Sequence, residues 1–196
     1  MSSEFFEKYK HKIITVERLI SFLSRGSKRE KTILCHGVFD VVHPGHVRHL
    51  AYAKSQADIL IVSITADKYI DKGAYRPHIP EKMRALNLAA FEMVDYVLID
   101  DNKKPLKLLN KLKPDFFAKG FEYTSKGLPT ATQEEKNVLD KFGGKIYRKP
   151  RKGHKMQYRW RKAFRNANEV AKFIAPFAVT KQEKLLQIVN HYVNQT

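Results

Sequence analysis

Ten consecutive residues, Gly37-Val38-Phe39-Asp40-Val41-Val42-His43-Pro44-Gly45-His46, hold the densest chemistry in the chain. Two histidines flank a Pro-Gly step, a spacing that lets both imidazoles donate to the oxygens of one phosphate. Gly45 allows backbone to approach a ligand closely, and a helix opening at this point would add unpaired N–H groups and the positive end of its dipole. Charge moving onto a phosphoryl group would meet fixed donors. Asp40 has two readings of equal weight: it satisfies backbone N–H groups within the loop, or it contacts a ligand or metal directly. His36, His49, His78, His154 and His191 read as solvated or capping histidines.

Such a segment needs a strand to deliver it and a helix to receive it. Lys31 to Cys35 is strand-like, and Val47, Leu50, Ala51 and Lys54 predict a helix after Gly45. The run from Asp58 to Ile64 is apolar throughout its middle, as expected of a strand covered on both faces. The alternation continues with a helix from Glu81 to Phe91 behind Pro80, and a strand from Val94 to Ile99. Next come a helix from Pro105 to Leu112, a strand from Asp115 to Ala118, a helix from Thr132 to Phe142 and a last strand at Lys145-Ile146-Tyr147. Ahead of them, Thr15 caps a helix carrying Val16, Leu19, Ile20 and Leu23, with Gly26 as its stop. The fold class is therefore α/β, a doubly wound parallel sheet with its ligands at the carboxyl ends of the strands.

The 196 residues, 43% of them hydrophobic, suffice for one core. The single cysteine, Cys35, lies in an apolar run and serves as a small buried hydrophobe, which fits a reducing cytoplasm. No apolar stretch approaches the roughly 18 residues of a membrane span, and the N-terminus lacks a signal pattern. The net charge of +17 is unevenly placed: residues 1–148 carry 26 Lys and Arg against 18 acids, and residues 149–196 carry 11 against 2. Two parts follow, 1–148 as the catalytic domain and 149–196 as a basic C-terminal tail, helical or partly disordered.

Gly37-Val38-Phe39-Asp40 followed by His43-Pro44-Gly45-His46 resembles the signature of the cytidylyltransferase-like nucleotidyltransferases, and the likeness runs from about Lys31 to Arg148. Val94-Asp95-Tyr96-Val97 and Lys113 to Gly120 look most like the branch that acts on heptose or sugar 1-phosphates, the nucleotidyltransferase part of bifunctional proteins that also carry a sugar kinase. The resemblance implies a Rossmann-like sheet and transfer of the NMP part of an NTP, ATP before CTP, to a sugar 1-phosphate. It implies that His43 and His46 contact the triphosphate, with Gly37, Val38, Phe39, Asp40 and Gly45 forming the nucleotide pocket. Lys72 corresponds to a mobile lysine bridging nucleotide and acceptor phosphates. Arg84 corresponds to an arginine paired with nucleotide phosphates, its alternative being an exposed helix arginine. Lys119, Gly120 and Tyr123 would sit near base or ribose. Mg²⁺ would arrive with the NTP, with no protein metal site specified. The expected partners are the NTP, a phosphorylated sugar, a sugar kinase domain or protein, and a second copy of the chain; no membrane is expected.

Beyond Arg148 the likeness stops. The family continues with a Ser/Thr-containing segment that closes over the triphosphate, whereas Lys149 to Val179 contains no Ser or Thr. Residues 148–165 hold nine Lys or Arg interleaved with Tyr158, Trp160 and Phe164. That composition carries the alternative function, an RNA-binding module or an impaired relative of the enzymes, with nucleic acid as partner only on that reading.

Overall fold

The computed structural model describes residues 3–25, 29–71, 76–120 and 130–148. All lie within the first of two compact units, Met1–Pro150, and the second, Arg151–Thr196, is outside the described residues, as are Gly26 and the tail.

Strands β1 (Thr32–Gly37), β2 (Ile59–Thr65), β3 (Tyr96–Asp100), β4 (Phe116–Lys119) and β5 (Lys145–Arg148) form one sheet in the order β3-β2-β1-β4-β5. Every pairing is parallel, with Cys35 opposite Val62 on one side and Ala118 on the other. Parallel strands need covered crossovers, and the covers fall on opposite faces. Helices α3 (Pro44–Lys54) and α4 (Glu81–Ala89) bury Leu50, Ala53, Ala85, Leu88 and Ala89 against Ile33, Cys35, Leu60, Val62 and Ile64. On the other face, α2 (Val16–Leu23), α5 (Leu106–Leu112) and α6 (Thr130–Asp140) bury Leu19, Leu108, Leu109, Leu112 and Leu139 against Leu34, Ile61, Leu98 and Phe117. The winding reverses between β1 and β4, and the crevice at that switch point opens above the carboxyl end of β1.

The predicted elements are all present, with shifted ends. Thr15 does cap α2, its hydroxyl accepting from Arg18 N–H at 3.3 Å. Helix α3 opens at Pro44, earlier than the apolar spacing from Val47 indicates, because Pro44 occupies the first turn behind a side-chain cap. Helix α1 (Ser3–Lys10) was not foreseen. Beyond it, Ile13 bridges to Val97 at the outer edge of β3: Val97 N–H donates to Lys12 O at 2.8 Å and Ile14 N–H to Val97 O at 3.1 Å. Among the described residues, no helix is long and apolar enough to cross a membrane.

Candidate active site

The chain leaves β1 through a strained turn. Phe39 adopts φ +50°, a left-handed conformation that costs a bulky side chain free energy and persists only where the surroundings enforce it. Three anchors do so. Val38 O accepts from Arg84 Nη1 at 2.5 Å, Asp40 Oδ1 accepts from Ile79 N–H at 3.0 Å, and Asp40 Oδ2 pairs with Arg76 Nε at 2.9 Å. The bent turn brings the Phe39 ring back over β1, where a Cβ on residue 37 would stand 3.1 Å from it. A side chain at 37 would crowd that ring, which would have to give by a few tenths of an ångström.

His43 and His46 meet at the opening of α3. Their rings stack with centroids 3.9 Å apart and planes 22° from parallel, and Phe39 abuts His46 at 5.1 Å. His43 Nδ1 accepts from Gly45 N–H at 3.1 Å, and His46 Nδ1 faces His43 N–H at 3.4 Å. With both Nδ1 atoms used as acceptors, each neutral ring carries its proton on Nε2. The donors of the site are therefore the Nε2–H groups. The unpaired backbone N–H groups expected at this helix end are not found, because Pro44 has none, Gly45 N–H serves the His43 ring and His46 N–H bonds His43 O at 2.8 Å.

Arg84 lies at the opposite extreme from an exposed helix arginine: it is fully buried. Its guanidinium donates to Ile79 O at 2.9 Å, Val38 O at 2.5 Å, Thr65 O at 2.9 Å and Asp67 Oδ1 at 2.5 Å. It ties the turn after β1, the end of β2 and the entry to α4 into one unit. Asp67 and Glu81 clasp the same region, each carboxylate accepting from the other's N–H at 3.0 and 2.8 Å. Nothing in the residue types marked Asp67, Glu81 or Arg76 beforehand; their position beyond the carboxyl ends of strands was the available signal.

Lys119 ends β4, beside β1, and Gly120 follows it. The Lys119 ammonium pairs with Glu135 of α6 at 2.5 Å, the two side chains being 14% and 6% exposed, and lies over the Phe117 ring. Burial raises the Glu135 carboxyl above its usual range, against the opposing pull of Lys119. Lys72 and Tyr123 lie outside the described residues. Cys35 is fully buried, which pushes its thiol far up and makes it inert as a nucleophile. No group of three or more His, Cys, Asp or Glu side chains among the described residues could hold a metal ion, and the carboxylates of Asp40 and Asp67 are engaged by protein donors.

His36 sits one residue before the turn, its Nδ1 2.7 Å from Ser63 Oγ and its Nε2 3.4 Å from Thr65 Oγ1. Burial, and secondarily the Lys119 charge, push it from 6.5 down to about 4. Between those values the unfolded chain binds a proton that the folded chain refuses, so this stability is whole above pH 6.5 and drains as pH falls towards 4. The loss is on the order of 3 kcal/mol. Asp100 and Glu135, raised chiefly by burial, act in the opposite direction. Urea unfolding of wild type and His36→Gln at several pH values isolates the histidine: the wild type should lose more stability on acidification, and parallel curves would exclude this role.

The family model for Cytidylyltransferase-like proteins matches residues 34–184, which carries the likeness past Arg148. The chain is 38% identical over 128 residues to the bifunctional protein HldE of Campylobacter concisus, covering 64% of this chain and 27% of that one. It is 42% identical over 123 residues to HldE of Campylobacter jejuni subsp. doylei, covering 62% and 26%. This chain thus spans about a quarter of the length of these relatives. Among solved structures, a lipopolysaccharide core biosynthesis protein from Thermoplasma volcanium superposes with a TM-score of 0.52 at 25% identity, over 62% of this chain and 97% of that one. Pantoate-beta-alanine ligase from Francisella tularensis shares the fold, with a TM-score of 0.51 at 16% identity over 92% and 85%.

Proposed function

Because the chain belongs to the cytidylyltransferase-like family, we propose that it transfers the NMP part of an NTP to a sugar 1-phosphate such as heptose 1-phosphate and releases pyrophosphate. ATP is preferred to CTP, on the likeness to HldE. The observation that carries the reading is the stacked His43–His46 pair, its Nδ1 atoms committed to the helix cap and its Nε2–H donors set where β1 passes into α3.

An oxygen of the acceptor phosphate attacks the α-phosphorus in line. The new P–O bond forms as the bond to the β-phosphate oxygen breaks, and the electron pair leaves with pyrophosphate. The acceptor is already a competent nucleophile, so the protein's task is positioning and charge neutralisation. His43 and His46 donate to phosphate oxygens, the α3 dipole adds positive potential, and Lys72 bridges donor and acceptor phosphates. Arg84 positions the turn from below. Lys119, Gly120 and Tyr123 line the base or ribose side. Mg²⁺ rides on the NTP and water. Residues 1–148 form the catalytic domain, and a sugar kinase, in the same polypeptide or another, supplies the 1-phosphate.

A panel of phosphorylated acceptors with coupled pyrophosphate detection tests this. Turnover should be selective for a sugar 1-phosphate with ATP. Selective turnover of glycerol 3-phosphate or pantetheine phosphate would overturn the acceptor class, and calorimetry showing no binding of ATP or CTP would overturn the site.

A further inference from the structure

A second set of polar side chains stands at the carboxyl ends of the strands and is not used by the phosphate turn. Side chains alternate along a strand, so His36 shares a face with Leu34, Ser63 and Thr65 with Ile61, and Asp100 with Leu98. These residues cap the core beneath α5 and α6. Ser63, Thr65 and Asp100 are buried, and Thr65 lies opposite Asp100 in register. His36 reaches both Ser63 and Thr65. The result is a polar row crossing β1, β2 and β3.

Asp100 ends that row with an unmet requirement. Its Oδ1 accepts from Asn102 Nδ2 at 2.8 Å, but Oδ2 is buried with no hydrogen bond. The other buried carboxylate oxygens without a hydrogen bond have ion pairs, Asp40 Oδ2 with Arg76 and Glu135 Oε2 with Lys119. Asp100 Oδ2 has neither among the described residues. Buried polar atoms are rarely left so, and each exception calls for a partner such as an ion, a water or a ligand. A carboxylate oxygen accepts only, so it attracts a hydroxyl and repels a phosphate. Lys68 is engaged by Asp101 and Lys104 by Glu134.

We propose that the row His36, Ser63, Thr65 and Asp100 is the subsite for the hydroxylated ring of the acceptor, with Asp100 Oδ2 accepting one of its hydroxyls. This rests on the reading of the protein as a sugar-phosphate nucleotidyltransferase. Strands lie roughly 4.8 Å apart, so the row from β1 to β3 is about 10 Å long, comparable to a sugar ring with its hydroxyls. Asp100 thereby selects polyhydroxylated acceptors over simple phosphates.

The test is calorimetric titration of the full chain with heptose 1-phosphate, in the presence of α,β-methylene-ATP, and with a set of analogues each lacking one ring hydroxyl. Asp100→Asn should weaken heptose 1-phosphate binding about 10- to 100-fold and leave the nucleotide affinity unchanged. One deoxy analogue should bind wild type and variant alike. Because the variant removes an unpartnered buried charge, its Tm without ligand should equal or exceed that of wild type. Unchanged sugar binding, no sugar binding by wild type, equal losses for every analogue, or a lowered Tm would each overturn the subsite. Absent nucleotide binding would instead strike the nucleotidyltransferase reading, because the sugar titration is read separately.

Discussion

His43→Asn is expected to turn over about 10²- to 10³-fold more slowly than wild type while unfolding at nearly the same urea concentration. Asparagine is among the best N-cap residues, and its side-chain oxygen replaces Nδ1 as the acceptor for Gly45 N–H. It has no counterpart of Nε2–H. His43→Ala loses both, so it should show the same rate defect plus a stability loss of about 1 kcal/mol. His46→Ala should match the rate defect, since the rings stack at 3.9 Å and address the same phosphates. The double variant His43→Ala/His46→Ala should fall short of the product of the single effects, because stacked partners act as a unit. Steady-state pyrophosphate release together with urea denaturation decides this. A fully active His43→Asn would reduce both imidazoles to capping groups.

Arg84→Met should be the most destabilising single change in the described fold, costing about 3–5 kcal/mol. Methionine fills much of the volume but leaves Val38 O, Ile79 O, Thr65 O and the Asp67 carboxylate without their donor. Phe39 then loses one of the anchors that hold its left-handed turn, so ATP affinity should fall even in protein that remains folded. Arg84→Lys keeps one charge yet cannot span four acceptors and should recover only part of the loss. Urea midpoints and ATP titration on the same samples measure both effects. Wild-type stability in Arg84→Met would exclude this structural role.

How far residue types reveal this site depends on whether their role is local. The winding of the sheet was legible because β2 begins with the apolar run Ile59-Leu60-Ile61-Val62 and because Pro80, Pro105 and the His-Pro-Gly-His step punctuate the helices. The opening of α3 at the His-Pro-Gly-His step was legible, but not the imidazole cap that sets its first residue, a role that residue type alone does not announce. Of the two readings of Arg84, the exposed helix arginine fails, and its burial here follows from four acceptors, three of them 17, 19 and 46 residues away. Asp100 carried no motif and became conspicuous only when the register set it beside Thr65. Lys72 and Tyr123 remain proposals drawn from likeness.

The bridge between Ile13 and Val97 gives the first residues of the chain a protective duty. An outer strand offers unsatisfied N–H and C=O groups to any extended segment that meets it, the route to strand addition and fibrous self-association. Lys12 and Ile14 occupy those groups at the centre of β3, while Leu19 plugs the core behind them. Trimming to the start of the family match at residue 34 would cut β1 itself, and a cut just before Thr32 would bare β3 along its length. Solubility of a shortened fragment should therefore depend on the segment around Lys12–Leu19, and β5, the opposite border among the described residues, carries the exposed cations Lys145 and Arg148.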